Sequence, residues 1–180
     1  MTEPDPGIIR AAQEGEVAAY DALVRACYGN VLRYLRHFLG DHTLAEDVTQ
    51  EAFVRCFRRL DTYNFEGRFT TWLVQIARNA GIDAIRRRQR HDRVALLAPP
   101  PSPPSDAVSL VELDAALATL PARLRDALVL VEVVGLRYRE AADVLRVPEG
   151  TVKSRVAKAR VRLLEWYDVQ GDEEVGDALR

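Results

Sequence analysis

The distribution of proline limits what this chain can fold into. Of its nine prolines, five (Pro99, Pro100, Pro101, Pro103 and Pro104) crowd into residues 98–105. The others are Pro4, Pro6, Pro121 and Pro148. A proline inside a helix removes a backbone donor and clashes with the preceding turn. None of these prolines interrupts an apolar pattern of helical period, so long helices are allowed on both sides of one stiff segment. The segment itself favours polyproline II, which at about 3.1 Å per residue spans roughly 25 Å. The expected architecture is therefore all-α: two small helical domains, 8–91 and 108–168, joined by an extended Pro-rich linker, 92–107, and followed by an acidic tail, 169–180. Apolar residues make up 48% of the 180, enough for each domain to bury a core.

The net charge of −2 conceals a segregation of sign. Residues 78–93 carry six arginines against two aspartates, and residues 137–162 carry eight basic side chains against three acids. Residues 165–180 reverse this, with six acids against one arginine. Two basic segments on a near-neutral chain suit two contacts with a polyanion, although solvated helix faces would give the same composition. No apolar run approaches 18 residues, so no membrane insertion is expected. The acidic, proline-bearing start lacks the features of a secretory signal, and a cytoplasmic location is expected. Cys27 and Cys56, which lie in helical apolar patterns, are expected to be buried reduced thiols.

Helical periodicity organises each half. Ala45, Val48, Ala52, Phe53, Cys56, Phe57 and Leu60 recur mostly at helical steps of three and four, with Thr43 and Glu46 placed to form a capping box. A loop over 61–68 precedes a helix whose stripe is Trp72, Leu73, Ile76, Ala77, Ala80 and Ala84. Two earlier helices are expected at 16–28 and 30–39. In the second half, helices are expected at 108–119, from Pro121 to Gly135, at 139–145 and at 150–166. The run ALVLVEVV over 127–134 has β-propensity, but its distance from Pro121 and its flanking breakers favour a buried helix.

The last two helices form a helix-turn-helix pattern. Val152, Val156, Ala159 and Leu163 face inward, which leaves Thr151, Lys153, Ser154, Arg155, Lys158 and Arg162 outward. Hydroxyls and cations at a helix start suit the major groove, where they reach base edges and phosphates. A solvated basic face is the plain alternative.

Four stretches in this order resemble bacterial RNA polymerase sigma factors of the sigma-70 family, in the compact extracytoplasmic-function (ECF) group. They are AEDVTQEAFVRCFRRL (45–60), TTWLVQIARNAGIDAIRRR (70–88), LATLPARLRDALVLVEVVGLRYREAADVL (117–145) and PEGTVKSRVAKARVRLL (148–164). The resemblance implies a promoter-recognition factor that binds core RNA polymerase and promoter DNA. It implies that Glu46, Asp47, Gln50 and Glu51 face the clamp helices of the largest subunit. It also implies that Phe65, Arg78, Asn79, Arg86 and Arg87 contact the −10 element. Thr151, Lys153, Ser154, Arg155 and Lys158 would contact the −35 element, with the second domain on the polymerase flap. Ala157 stands where relatives often carry a bulkier residue, which shifts the weight of −35 contacts to Lys153, Ser154 and Lys158. An anti-sigma factor is a further candidate partner.

The alternative is a dimeric helix-turn-helix regulator acting without replacing the sigma subunit; it gives residues 45–60 and 70–79 no role. An adaptor binding only proteins leaves the basic recognition face unused. No P-loop, HExxH or G-x-S-x-G motif is present. His37, His42 and His91 show no ligand spacing and read as surface or capping residues. No enzyme activity, metal or cofactor is therefore expected.

Overall fold

The computed structural model describes the backbone of residues 1–94 and 108–177, and the side chains of 1–90 and 113–168. The Pro-rich linker expected to be extended lies outside the described residues. In chain order the helices are α1 (Pro6–Gln13), α2 (Val17–Leu39), α3 (His42–Arg59), α4 (Phe69–Val94), α5 (Val108–Thr119), α6 (Ala122–Leu128), α7 (Tyr138–Leu145) and α8 (Glu149–Asp177). A 3-10 turn over Leu60–Thr62 follows α3, and a π-helical turn over Val129–Val133 continues α6. Among the described residues there is no strand. The segment 127–134 is therefore helical, and the chain leaves it at Gly135, whose φ of 78° suits a residue without Cβ.

Helices α2, α3 and α4 pack around one core, with α1 laid along α2. The core takes Leu23, Cys27, Val31 and Leu35 from α2, Ala45, Val48 and Ala52 from α3, and Leu73, Ala77 and Ala80 from α4. The two expected helices at 16–28 and 30–39 are one continuous α2. Gly29 and Asn30 are poor helix formers, but each costs at most about 1 kcal/mol, which packing of the long apolar face offsets. Helix α3 is capped by Asp41 rather than Thr43: the Asp41 carboxylate accepts the Leu44 N–H at 3.0 Å. Thr43 is exposed within the first turn. Gly81 sits where α4 meets α2; a Cβ there would lie 2.9 Å from a Phe38 ring carbon. Helix α4 runs to Val94, past the expected boundary at residue 91, and α8 continues as helix through Asp177 into the acidic segment.

Cys27 and Cys56 are buried and free. Burial pushes their thiols up to about 11 and about 12, which keeps them protonated and unreactive at neutral pH.

The second domain packs α6 and α7 against α8, with α5 also touching α8. Val152, Val156 and Ala159 are buried, while Leu163 is half-buried at the edge. Between α7 and α8 the chain turns at Arg146, a non-glycine residue in the left-handed region with φ 54°. The Val147 N–H closes this turn on the Ala142 carbonyl at 3.2 Å.

The two domains lie against each other: α2 meets α6 and the π-helical turn, and α4 meets α7. At the centre of the contact is Asp126 of α6, only 4% exposed. Tyr34 Oη–H donates to its Oδ1 at 3.1 Å, and Arg78 Nε–H donates to its Oδ2 at 2.8 Å. Asp114 sits between two histidines, with one oxygen 2.7 Å from His37 Nδ1 and the other 3.1 Å from His42 Nε2. His37 is thus buried at the interface, which corrects its expected surface position. Arg68 and Glu140 form a further ion pair across the domains at 3.5 Å.

Candidate nucleic-acid and polymerase interfaces

On α3, Glu46, Asp47 and Gln50 are exposed on one side of the helix and Glu51 is half-buried. Glu46 accepts from Arg36 at 3.0 Å. Glu51 is not the free acid that its position suggests: Arg55 and Arg87 both bind its carboxylate, Arg87 at 2.8 Å. Hydrogen bonding from Arg87, followed by that from Arg55, holds the Glu51 carboxyl below the usual range. Phe57, expected in the buried stripe, is instead exposed beside Val54, because it lies one position past the inward-facing Cys56; the neighbouring surface is therefore apolar.

The residues expected at the −10 element are spread along the first domain. Phe65 lies in the loop with φ 63°, a conformation costly for a bulky side chain. Its ring packs 4.9 Å from that of Tyr63 and under the Arg10 guanidinium at 5.1 Å, so it faces α1. Arg78 turns toward Asp126 and Asn79 is exposed. Arg87 binds Glu51, and Arg86 is exposed beside Arg87 and Arg90. Residues 78 and 87 are about 13 Å apart along the helix at 1.5 Å per residue, so these groups form a strip, not one pocket. Phe69 is core, and Trp72 is half-buried against Tyr63 and Phe69.

Sequence periodicity missed the groups that hold this loop. Gln13 of α1 donates through Nε2 to the carbonyls of Leu60 at 2.8 Å and Tyr63 at 2.7 Å. Glu3 caps α4: its carboxylate accepts the Phe69 N–H and, at 2.7 Å, the Thr70 hydroxyl. The sequence offered one hint, an acid ahead of a helical segment, but not which helix it would cap.

In α8, Lys153, Ser154 and Lys158 are exposed, Thr151 and Arg155 half-buried. Lys153 Nζ lies 2.7 Å from Glu149 and over the Tyr138 ring at 5.8 Å. Glu149 beside it pushes the ammonium up, so Lys153 stays charged. Exposed i,i+4 pairs are weak, about 0.3–0.5 kcal/mol, so a phosphate or guanine can displace Glu149. Burial pushes the Asp126 carboxyl up, more than Arg78 and the hydrogen bonds lower it. Arg160, on the exposed side farther along α8, binds Glu132.

Among the described residues, no group of His, Cys, Asp and Glu is arranged to hold a metal ion, and no helix is long and apolar enough to cross a membrane.

A helix-turn-helix with an outward basic recognition face, joined to a helical module with its own basic strip, defines a class: a two-domain helical DNA-binding protein. The Sigma-70 region 2 family model matches residues 23–91, and the Sigma-70, region 4 model matches residues 110–163. The chain is 34% identical to the ECF RNA polymerase sigma factor SigE of Mycolicibacterium smegmatis, over 92% of this chain and 68% of that protein. It is 33% identical to the ECF RNA polymerase sigma factor SigC of Mycobacterium tuberculosis, over 92% and 91%. Two solved structures share the fold at 26% identity. One is CnrH in complex with the cytosolic domain of CnrY, at a TM-score of 0.72 over 90% of this chain and 96% of that one. The other is the sigma factor RpoE of Bartonella quintana in complex with the anti-sigma factor NepR, at 0.76 over 85% and 99%. The chain belongs to the sigma-70 family, in its ECF group: it is a sigma factor, which directs promoter-specific transcription. The region 2 model spans residues 45–60 and 70–79, the stretches for which a dimeric regulator has no use.

Proposed function

We propose that the first unit, residues 8–91, engages the polymerase clamp and the −10 element, and that residues 108–168 read the −35 element and contact the flap. In this reading Glu46, Asp47, Gln50 and Glu51 form the clamp face. Asn79, with Arg78 and Phe65 once freed, acts on the −10 strand, and Arg86 and Arg87 hold phosphate. Thr151, Lys153, Ser154, Arg155 and Lys158 meet the −35 groove. The protein works in the cytoplasm, catalyses no reaction of its own and needs no cofactor. An anti-sigma factor is a partner by likeness to the sigma factor RpoE, solved in complex with the anti-sigma factor NepR. The observation that carries this reading is the burial of Val152, Val156 and Ala159, which leaves Lys153, Ser154 and Lys158 outward at the start of α8.

The direct test is transcription in vitro with purified core polymerase over a library of promoters from the source genome. New specific start sites are expected only when the protein is added, and the reading fails if none appears.

The clamp assignment has its own test. Asp47→Lys places a cation on an exposed position without disturbing an ion pair and is expected to weaken core binding about tenfold, or about 1.4 kcal/mol. Glu51→Lys also sets a like charge against Arg87 and against Arg55, which keeps only Asp83 at 2.7 Å, so it is expected to lower the melting temperature as well as affinity. Titration of surface-bound core polymerase checks both. Wild-type affinity for Asp47→Lys would remove this face from the clamp contact.

A further inference from the structure

The loop over residues 61–68 is fastened from outside itself. Within it, the Tyr63 hydroxyl donates to the Gly67 carbonyl at 2.6 Å, and the Asn64 side chain accepts the Glu66 N–H at 3.2 Å. Three further fastenings come from residues 3–13. At the entrance, Gln13 Nε2 donates to the carbonyls of Leu60 and Tyr63. In the middle, the Arg10 guanidinium lies over the Phe65 ring. At the exit, Glu3 binds Arg68 Nε, the Phe69 N–H and the Thr70 hydroxyl. Arg10 and Gln13 stand three positions apart in α1, which puts them on one face of that helix. The helix has a fixed seat of its own, because Ile9 and Ala12 are buried and it packs along α2.

The loop needs such support. Phe65 has φ 63°, a backbone conformation that a bulky residue keeps only where its surroundings over-determine it. A free loop of this length samples many shapes and gives them up when it meets a ligand, at a cost in affinity. The two carbonyls that Gln13 binds bracket the 3-10 turn Leu60–Thr62, where the loop begins. One side chain therefore sets the direction in which the loop leaves α3.

We infer that α1 belongs to the −10 apparatus, with Gln13 as a positioning residue that holds the loop backbone in the shape that meets the unpaired strand. The inference rests on the reading that places Phe65 at the −10 element. Gln13 acts through the loop and does not itself touch the strand. Arg10 is exposed and its hold on the ring is weak, so Phe65 can swing to a base while Gln13 keeps the backbone in place. A loop that keeps this shape about one tenth of the time loses about tenfold in the affinity of its own contact. The contacts of Asn79, Arg86 and Arg87 on α4 do not pass through the loop. A strand still binds there when the loop is misshapen, but the loop no longer reads its base. Discrimination falls at that base and is kept at the others.

The test uses the full chain with core polymerase and a promoter library varied at each −10 and −35 position. Phe65→Ala marks the −10 position that the loop reads. Gln13→Met removes the two donors at similar side-chain size, and Gln13→Lys keeps a donor for the same carbonyls. Circular dichroism confirms the fold of each. Gln13→Met is expected to lower discrimination about tenfold at the marked position and nowhere else in either element. Gln13→Lys is expected to bring it back to within about threefold of wild type. NMR order parameters over residues 62–67, about 0.85 in rigid backbone, are expected to fall toward about 0.6 in Gln13→Met. Wild-type discrimination at the marked position in Gln13→Met overturns the positioning role. So does an equal loss at −10 and −35 positions, which marks a general loss of stability. Unchanged order parameters overturn the fastening itself. Failure of the underlying reading shows separately, as a Phe65→Ala holoenzyme with wild-type discrimination at every −10 position, whatever the order parameters of Gln13→Met.

Discussion

Replacing Glu3 with alanine is expected to destabilise the first domain by about 1–3 kcal/mol, the cost of leaving buried polar groups without partners. Helix α4 begins at Phe69 with backbone N–H groups that its own turn cannot satisfy. Glu3 supplies the missing acceptor from the other end of the domain. It binds the Phe69 N–H, the Thr70 hydroxyl at 2.7 Å and Arg68 Nε at 3.3 Å. Thr70 is fully buried, so water cannot replace the carboxylate without opening the site. The negative charge also faces the positive end of the α4 dipole. Glu3→Gln keeps one acceptor oxygen but turns an amide N–H₂ toward a site made of donors, so it is expected to recover only part of the loss. Urea unfolding should show a lower midpoint with an unchanged slope, since the surface exposed on unfolding is the same. Hydrogen exchange should quicken first at Phe69 and Thr70. A midpoint equal to wild type would mean that this carboxylate does not support α4.

Lys153→Ala is expected to cost about 1–3 kcal/mol in discrimination between −35 variants, the range of one base contact in the major groove. Lys153 lies in the second turn of α8 on its exposed face, the side that the proposed reading sets toward base edges. Its link to Glu149 must exchange for DNA, which a weak surface pair permits. Arg162 is exposed farther along the same helix and is expected to act differently. Arg162→Ala should weaken binding evenly across sequences and make the salt dependence shallower, as loss of a phosphate contact does. Promoter-variant selection at two salt concentrations separates the two. Equal loss on all −35 variants for Lys153→Ala would make this face electrostatic only.

Much of the fold was legible because helices are local. The stripe Val152, Val156, Ala159 needs only a helical period to face inward, and it does so. The same holds for Ala45, Val48 and Ala52 in α3. Where local signals misled, a competing local group or tertiary packing had won. Asp41 capped α3 ahead of Thr43 because it stands one residue before the helix in extended conformation, with its carboxylate free to turn back. Gly29 and Asn30 did not divide α2, because both flanking segments bury their faces against the same core.

The candidate site was legible as residue types and less so as an arrangement. Exposed positions such as Asp47, Gln50, Lys153 and Lys158 follow from helical phase. Glu51 and Arg78 have the same phase logic, yet one is bound by two arginines and the other is drawn to the domain contact. Phase fixes the side of a helix from which a side chain leaves, not what stands opposite.

The sequence by itself determined the all-helical class, most of the helices, the outward basic face of α8 and the family. Each depends on groups within a few residues of one another, or on motifs whose order is written in the chain. Only the tertiary structure decided that Asp126 meets Tyr34, 92 positions away, and that Glu3 caps a helix beginning 66 positions later. Such pairs have no period and no motif. They form because compact packing leaves a buried donor that must find an acceptor, and whichever group the fold brings within 3 Å satisfies it.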